Sequence, residues 1–192
     1  MVQQEDHSVT FIAIGPMINL MHLLESGPDS ISPQSGVELV RRKVNELVCM
    51  AGHFPSGIEW NVQMHAHSAQ TVVQKWQTPI MFAGFEVGSP ILTGARLFTD
   101  TPETNPVRKA YSLYLRSEGS RSSWDLTAVL YAVRGISSLW KSQGGGNVII
   151  TDAAESIWKE APEKGHFYLQ FNTDPTVILE TLEELLIQPP KS

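Results

Sequence analysis

Three short apolar runs in the first half of the sequence constrain the fold more than any other feature. They cover residues 9–15, 47–50 and 79–85, and they consist largely of aliphatic and aromatic residues. Apolar runs without polar alternation are typical of strands that are buried on both faces of a parallel sheet. Segments with helical spacing of apolar residues separate these runs. The alternation predicts an α/β fold, with a mostly parallel open sheet, helices on both of its faces and right-handed crossovers.

The remaining secondary structure is predicted from spacing and from cap residues. Asn105 and Pro106 suit the N-cap and the first position of a helix. Two late strands, over residues 148–151 and 166–171, are consistent with an antiparallel pair at an edge of the sheet, and the glycines at 144–146 are predicted to form a loop. Helices are predicted over residues 17–24, 37–43, 65–76, 106–116, 122–133 and 175–187.

Composition limits the class of protein. The 192 residues, of which 42% are hydrophobic and 18% charged, fit one globular domain over residues 1–192. The formal net charge of -6 argues against an electrostatic nucleic-acid binder, which needs a basic surface. No run of about 18 apolar residues predicts a membrane span. The N-terminal residues MVQQEDHS do not resemble a targeting peptide, so we expect a cytoplasmic protein.

A carboxylate and an amide follow the second predicted strand. Glu59 and Asn61 lie two residues apart, beyond residues 47–50 and a loop that contains Pro55 and Gly57. Ligands of open α/β sheets bind beyond the carboxyl ends of the strands. A carboxylate accepts hydrogen bonds from hydroxyl groups, and an amide both donates and accepts them. Glu59 and Asn61 therefore either bind the hydroxyl groups of a polyol or are two ordinary polar residues of a loop.

Asp125 is a second candidate site residue. It lies in the first turn of a predicted helix, which Ser122 or Ser123 can cap, and there its charge favours the helix dipole. The functional alternative is a ligand of a hard cation such as calcium, although one carboxylate does not make a calcium site. Trp124 adjoins it in sequence, and an aromatic ring beside a polyol site can stack on a ligand ring.

Several segments, taken in order, resemble the nucleoside hydrolases of the inosine-uridine-preferring type. VTFIAIGPMINL resembles their V-T-I-x-x-x-G-P-L-T-N-L segment, and VNELVCMAG resembles V-x-x-L-V-x-M-G-G. Glu59-Trp60-Asn61 is similar to the E-F-N motif, and Trp124-Asp125 stands where the family has H-D. FAGFEVGSPILTGARL and SWDLTAVLYAVRG resemble a bacterial subgroup. The resemblance extends from about Val9 to the C-terminus.

The resemblance implies an enzyme that cleaves the N-glycosidic bond of ribonucleosides with a calcium-activated water. It also implies a three-layer α/β fold and roles for particular residues. Calcium would be bound by the Asp125 carboxylate and the Ile14 backbone carbonyl. The ribose and the rest of the substrate would be bound by Glu59, Asn61, Met50 and Trp124.

The sequence also departs from the family. In the family, an aspartate-rich D-x-D-x-x-x-D-D motif supplies calcium ligands and the catalytic base. This sequence contains no match to that motif, so the catalytic residue is unknown. Trp124 replaces the histidine of H-D, and HFPSGI stands where the family has Gly-Asn before E-F-N. We therefore expect the C-terminal portion of such a hydrolase, N-terminally incomplete, with weak calcium binding and impaired activity. The alternatives are a non-catalytic sugar- or nucleoside-binding remnant and a structural chain that completes its sheet by self-association or with a partner chain.

Overall fold

The computed structural model describes residues 1–161 and 163–189, and within them the chain forms nine strands and nine helices. The strands are β1 (Val9–Ala13), β2 (Val44–Met50), β3 (Ser56–Ile58), β4 (Ile80–Ala83), β5 (Leu92–Thr93), β6 (Arg121–Ser122), β7 (Trp140–Ile150), β8 (Glu155–Glu160) and β9 (His166–Phe171). The helices are α1 (Ile18–Glu25), α2 (Gly36–Lys43), α3 (Trp60–Met64), α4 (Ala66–Lys75), α5 (Phe85–Gly88), α6 (Ala95–Asp100), α7 (Pro106–Leu115), α8 (Trp124–Arg134) and α9 (Pro175–Ile187).

One large sheet organises the molecule, with strand order β1-β2-β4-β9-β7-β8-β3. The strands β1, β2, β4 and β9 are parallel neighbours, and the pairs from β9 to β3 are antiparallel. The strands β5 and β6 form a separate antiparallel pair. The predicted α/β fold is confirmed, with a mixed sheet of parallel and antiparallel strands and with helices on both faces.

Two hydrophobic clusters cover the two faces of the sheet. Leu47 and Cys49 of β2 pack with α1, α2 and α4 in one cluster, whereas Val48 and Met50 pack with α5, α8 and α9 in the other. Successive side chains of a strand point to opposite faces. The uninterrupted apolar run of β2 thus reflects burial on both faces, as the sequence predicted.

The first strand is an exception to that prediction. Along β1, intermediate and exposed residues alternate, and Ile12 is 39% exposed. Within the described residues, β1 pairs with β2 alone and forms an edge of the sheet. The prediction that residues 9–15 form a strand buried on both faces is therefore wrong, because a central position in the sheet was assumed from apolar content alone.

Two further predictions need correction in the C-terminal half. The predicted edge strand β9 lies between β4 and β7 in the middle of the sheet. The three glycines at 144–146 lie inside β7 and not in a loop, at a shift of register against β9. Gly145 has a φ of 71°, and an added Cβ on Gly146 would lie 1.9 Å from the Trp158 ring. The glycines thus allow a bulge and close packing within a strand.

The predicted helices are present. The helix over residues 175–187 has the predicted ends, and the ends of the others differ by at most two residues. Asn105 is the N-cap of α7, where its side chain accepts hydrogen bonds from the amides of Val107 and Arg108. The apolar spacing over residues 175–187 predicts that Val177, Ile178 and Leu185 are buried. In α9, Ile178 is buried, whereas Val177 and Leu185 are exposed. No helix in the described part of the chain is both long and apolar enough to cross a lipid bilayer.

Candidate functional site

A cleft of about 800 Å³ opens beyond the carboxyl ends of β1 and β2. The predicted site residues come from four separate segments of the chain, and the structure brings all of them to its walls: Ile14, Met50, Glu59, Asn61, Trp124 and Asp125. The parallel arrangement explains this convergence, because the segments after β1 and β2 leave the sheet at the same edge. Their roles toward a ligand stay predictions.

The Glu59 carboxylate is hydrogen-bonded to the backbone around it. It is the N-cap of α3 and is 4% exposed. Its Oε1 accepts the amide N–H of Asn61 at 2.8 Å, and its Oε2 accepts those of Gly52 and Val62, each at 3.2 Å. Burial raises the pKa of its carboxyl, the three amides oppose that rise, and the charge of Asp125 adds to it. Glu59 therefore joins the end of β2 to α3, and Oε1 retains one acceptor site for a ligand.

Asn61 is held by the last residue of β2. Its Nδ2 donates to the Met50 carbonyl at 3.0 Å and lies 3.3 Å from the Met50 sulfur. These contacts use the donor side of the amide. The acceptor Oδ1 is thereby the part of Asn61 that is available to a hydroxyl group in the cleft.

Asp125 lies in the first turn of α8. Burial raises the pKa of its carboxyl, and the positive charge of Arg121 lowers it. Its charge also acts on Glu59 across the cleft. Two carboxylates that face one cleft are suited to accept hydrogen bonds from a polyol, and the positive Arg121 partly offsets their charge.

The described residues do not fit a calcium ion. Calcium takes about six to eight oxygen ligands, and several of them are usually carboxylate oxygens. Residues 1–161 and 163–189 contain no cluster of three or more His, Cys, Asp or Glu side chains with metal-ligand spacing. Glu59 is tied to backbone amides, which leaves Asp125 and the Ile14 carbonyl. No chemical step is therefore assigned to a metal.

One wall of the cleft is aromatic, and sequence reasoning identified only part of it. Phe85 and Trp124 stack with their ring centres 5.5 Å apart, and Trp124 Nε1 donates to the Phe85 carbonyl at 3.0 Å. Trp60, Tyr111 and Tyr114 also line the cleft, and Trp60 is 68% exposed. The spacing of the two tyrosines predicts that they share one side of the helix over residues 106–116. In the structure α7 has no buried residue, and this aromatic side faces the cleft.

A buried polar network supports this wall. Glu183 of α9 is 3% exposed, and its Oε1 accepts the amide N–H of Gly94 at 2.9 Å. The neighbouring Thr93 hydroxyl lies 2.6 Å from that of Ser123 and 3.3 Å from that of Tyr111. Gly94 has a φ of 119°, and an added Cβ would meet the Tyr111 ring at 2.3 Å. No sequence signal marked Glu183, because its position within the apolar C-terminal helix is evident only from packing.

The sequence matches no protein-family model and no curated protein. Solved structures do match. A plant nucleoside hydrolase aligns with 96% of this chain at a TM-score of 0.69 and 15% identity. A purine-preferring ribonucleoside hydrolase from Gardnerella vaginalis aligns with 97% at a TM-score of 0.68 and 15% identity. An inosine-uridine preferring nucleoside hydrolase from Bacillus anthracis aligns with 97% at a TM-score of 0.60 and 14% identity.

The chain has the nucleoside hydrolase fold. The resemblance in the sequence motifs is thereby confirmed at the level of the fold, which is what identities of 14–15% can show. The chain spans 62–63% of the length of these nucleoside hydrolases. Polar and aromatic side chains converge on the cleft described above. A concave site of this kind is where a small-molecule ligand binds, so the cleft is the candidate functional site of the chain.

Proposed function

We propose that the cleft binds ribonucleosides. The observation that carries this proposal is the convergence of hydroxyl-binding and aromatic side chains from separate segments on one cleft of about 800 Å³. Glu59, Asn61 and Asp125 present acceptors to ribose hydroxyls, and Met50 lies against the sugar. The stacked pair of Phe85 and Trp124 provides a flat apolar surface for a base. The fold supports the proposal, because the similar solved structures are nucleoside hydrolases.

We propose further that the reaction supported by this site is hydrolysis of the N-glycosidic bond, and that this chain by itself catalyses it slowly. Such a reaction needs a base or a metal-bound hydroxide to activate water, and groups that stabilise an oxocarbenium-like sugar. Among the described residues of the cleft, Asp125 is the carboxylate that could act as the base that activates water, because Glu59 accepts hydrogen bonds from three backbone amides. Calcium held by Asp125 and the Ile14 carbonyl would bind weakly.

The experiment measures binding and turnover separately. Inosine and uridine are titrated into the protein by calorimetry, and both are then assayed for release of the base with calcium present, beside an activated aryl riboside. We expect both nucleosides to bind and Asn61→Ala to weaken binding about tenfold, which is the free energy of one or two hydrogen bonds. Asp152→Asn, at an exposed position outside the cleft, is the control and should bind as the wild type does.

The rate of base release distinguishes a chain that only binds nucleosides from one that also hydrolyses them. We expect release of base to be slow and to respond little to calcium. Rapid hydrolysis that Asp125→Ala abolishes would contradict the proposed slow reaction and would require a complete catalytic centre. Failure of inosine and uridine to bind would contradict the proposed function itself.

The second candidate function is structural, namely completion of a sheet with another chain. The observation in its favour is the exposed edge strand β1, on which Ile12 is 39% exposed. Nucleoside binding and association through β1 are compatible, because the cleft and the edge are different parts of the molecule, although Ile14 lies at the point where they meet.

A further inference from the structure

Arg121 lies in the cleft against two aromatic rings. Its guanidinium carbon is 4.1 Å from the centre of the Tyr114 ring and 5.7 Å from that of the Trp124 ring. A guanidinium that stacks on a ring face keeps the N–H groups at its edge available for a second partner. Tyr114 is 66% exposed, so this stacked arrangement lies at the open side of the cleft.

The charge of Arg121 has no close partner in the described chain. No carboxylate oxygen of residues 1–161 and 163–189 lies within 4.0 Å of its guanidinium. Asp125 is influenced by Arg121 at longer range, and Glu59 is held by backbone amides. Arg121 is also the one Lys or Arg among the described residues that line the cleft.

We propose that the preferred ligand of the cleft is a nucleoside that carries an anionic group, which Arg121 binds through paired N–H donors. The inference rests on the proposed function, because it takes nucleoside binding as given and adds the charge of the ligand. Arginine binds phosphate and carboxylate groups through two parallel hydrogen bonds. The anionic group is therefore either a phosphate on the ribose or a carboxylate on the base.

The alternative is that Arg121 only braces the wall by its contact with Tyr114. A purely structural Arg121 would change the affinity for all nucleosides alike, whereas an anion-binding Arg121 would increase the affinity for negatively charged nucleosides only. The informative quantity is thus the ratio of the dissociation constants of a neutral and a charged nucleoside in the same protein. This ratio cancels any general weakening of the cleft by a substitution.

The test titrates the full chain with uridine, uridine 5′-monophosphate and orotidine by calorimetry at low ionic strength. The three share a pyrimidine riboside and differ in bearing no charge, a phosphate on the sugar or a carboxylate on the base. We expect at least one charged ligand to bind about tenfold or more tightly than uridine, as a charge-assisted hydrogen bond allows. Which one does so identifies the source of the charge, and added salt should reduce the ratio.

Variants attribute the preference to Arg121. Arg121→Gln should reduce the ratio to about one, and Arg121→Lys, which keeps the charge without the planar pair of donors, should retain part of it. Arg134→Gln, at the exposed end of α8, is the matched control and should keep the full ratio. Circular dichroism spectra verify that each variant is folded.

Several outcomes would overturn the inference. If uridine binds and neither charged ligand binds more tightly, the cleft has no preference for anions, while the proposed function stands. A ratio that persists in Arg121→Gln would show that another group selects the charge. If none of the three ligands binds the wild type, both the inference and the proposed nucleoside binding are wrong.

Discussion

At the scale of single residues, Glu59 has a structural role at the wall of the cleft. Its carboxylate caps α3 and fixes the turn after β2, and the same side chain lines the cleft. The sequence left two alternatives for Glu59, a ligand-binding group or an ordinary loop residue. The structure shows a third arrangement, in which backbone hydrogen bonds place a buried carboxylate at the site.

His166 provides a prediction at the same scale. It is 4% exposed, its Nδ1 accepts the Val148 amide N–H at 3.0 Å, and burial together with the charge of Lys164 lowers its pKa to about 4. The folded state thus favours neutral imidazole, and the unfolded chain takes up a proton near the ordinary value of 6.5. Stability due to His166 is complete above that pH and is lost as the pH falls toward 4.

We therefore expect the free energy of unfolding to fall by about 2 kcal/mol between roughly pH 7 and roughly pH 5 through His166 alone. Urea unfolding of the wild type and of His166→Asn at both pH values isolates this contribution, since the Asn carbonyl can still accept the Val148 N–H. Equal pH dependence in the two proteins would contradict the assignment.

At the scale of elements, prediction from sequence succeeded where burial is symmetric. The strands β2 and β4 contain the predicted residues 47–50 and much of 79–85, because burial on both faces gives a continuous apolar run. The position of β9 was missed because strand order depends on pairing between distant segments. The predicted strand over residues 148–151 began too late, because consecutive glycines normally interrupt strands. The structure explains the glycines: Gly144 lies against the Phe167 ring, Gly145 has a φ of 71°, and Gly146 lies against the Trp158 ring.

The glycine bulge of β7 can be tested. Gly146→Ala places a methyl group where the Trp158 ring lies, and we expect a loss of about 1–3 kcal/mol in the free energy of unfolding, typical of overpacking. Chemical denaturation measures the loss. Gly27→Ala, where an added Cβ meets no atom within 4 Å, is the control and should change stability little. Equal stability of the two variants would mean that Trp158 can move aside without cost.

At the scale of the whole molecule, the location of the site was predictable and its lining was only partly so. The six residues inferred from motifs all lie on one cleft because they follow strand ends or begin helices at one edge of the sheet. Tyr111, Tyr114 and Arg121 were missed. The spacing of the two tyrosines indicates only that they share one side of a helix, and Arg121 lies in a polar segment after it. Only the tertiary structure shows that α7 and Arg121 form a wall of the cleft.

The exposed edge of the sheet gives the last prediction. The strand β1 presents unpaired backbone groups within the described chain, and Ile12 in β1 and Ile14 just after it are 39% and 47% exposed. Unprotected edge strands with apolar side chains associate with other chains. We expect a sedimentation coefficient that increases with protein concentration in the wild type. Ile12→Lys should abolish this increase, because a charge on an edge strand opposes pairing, whereas Ile31→Lys, at a position 78% exposed in a loop, should leave it unchanged. A wild-type protein that stays monomeric up to roughly 100 µM, the range in which exposed strand edges drive aggregation, would show that β1 is not a site of association.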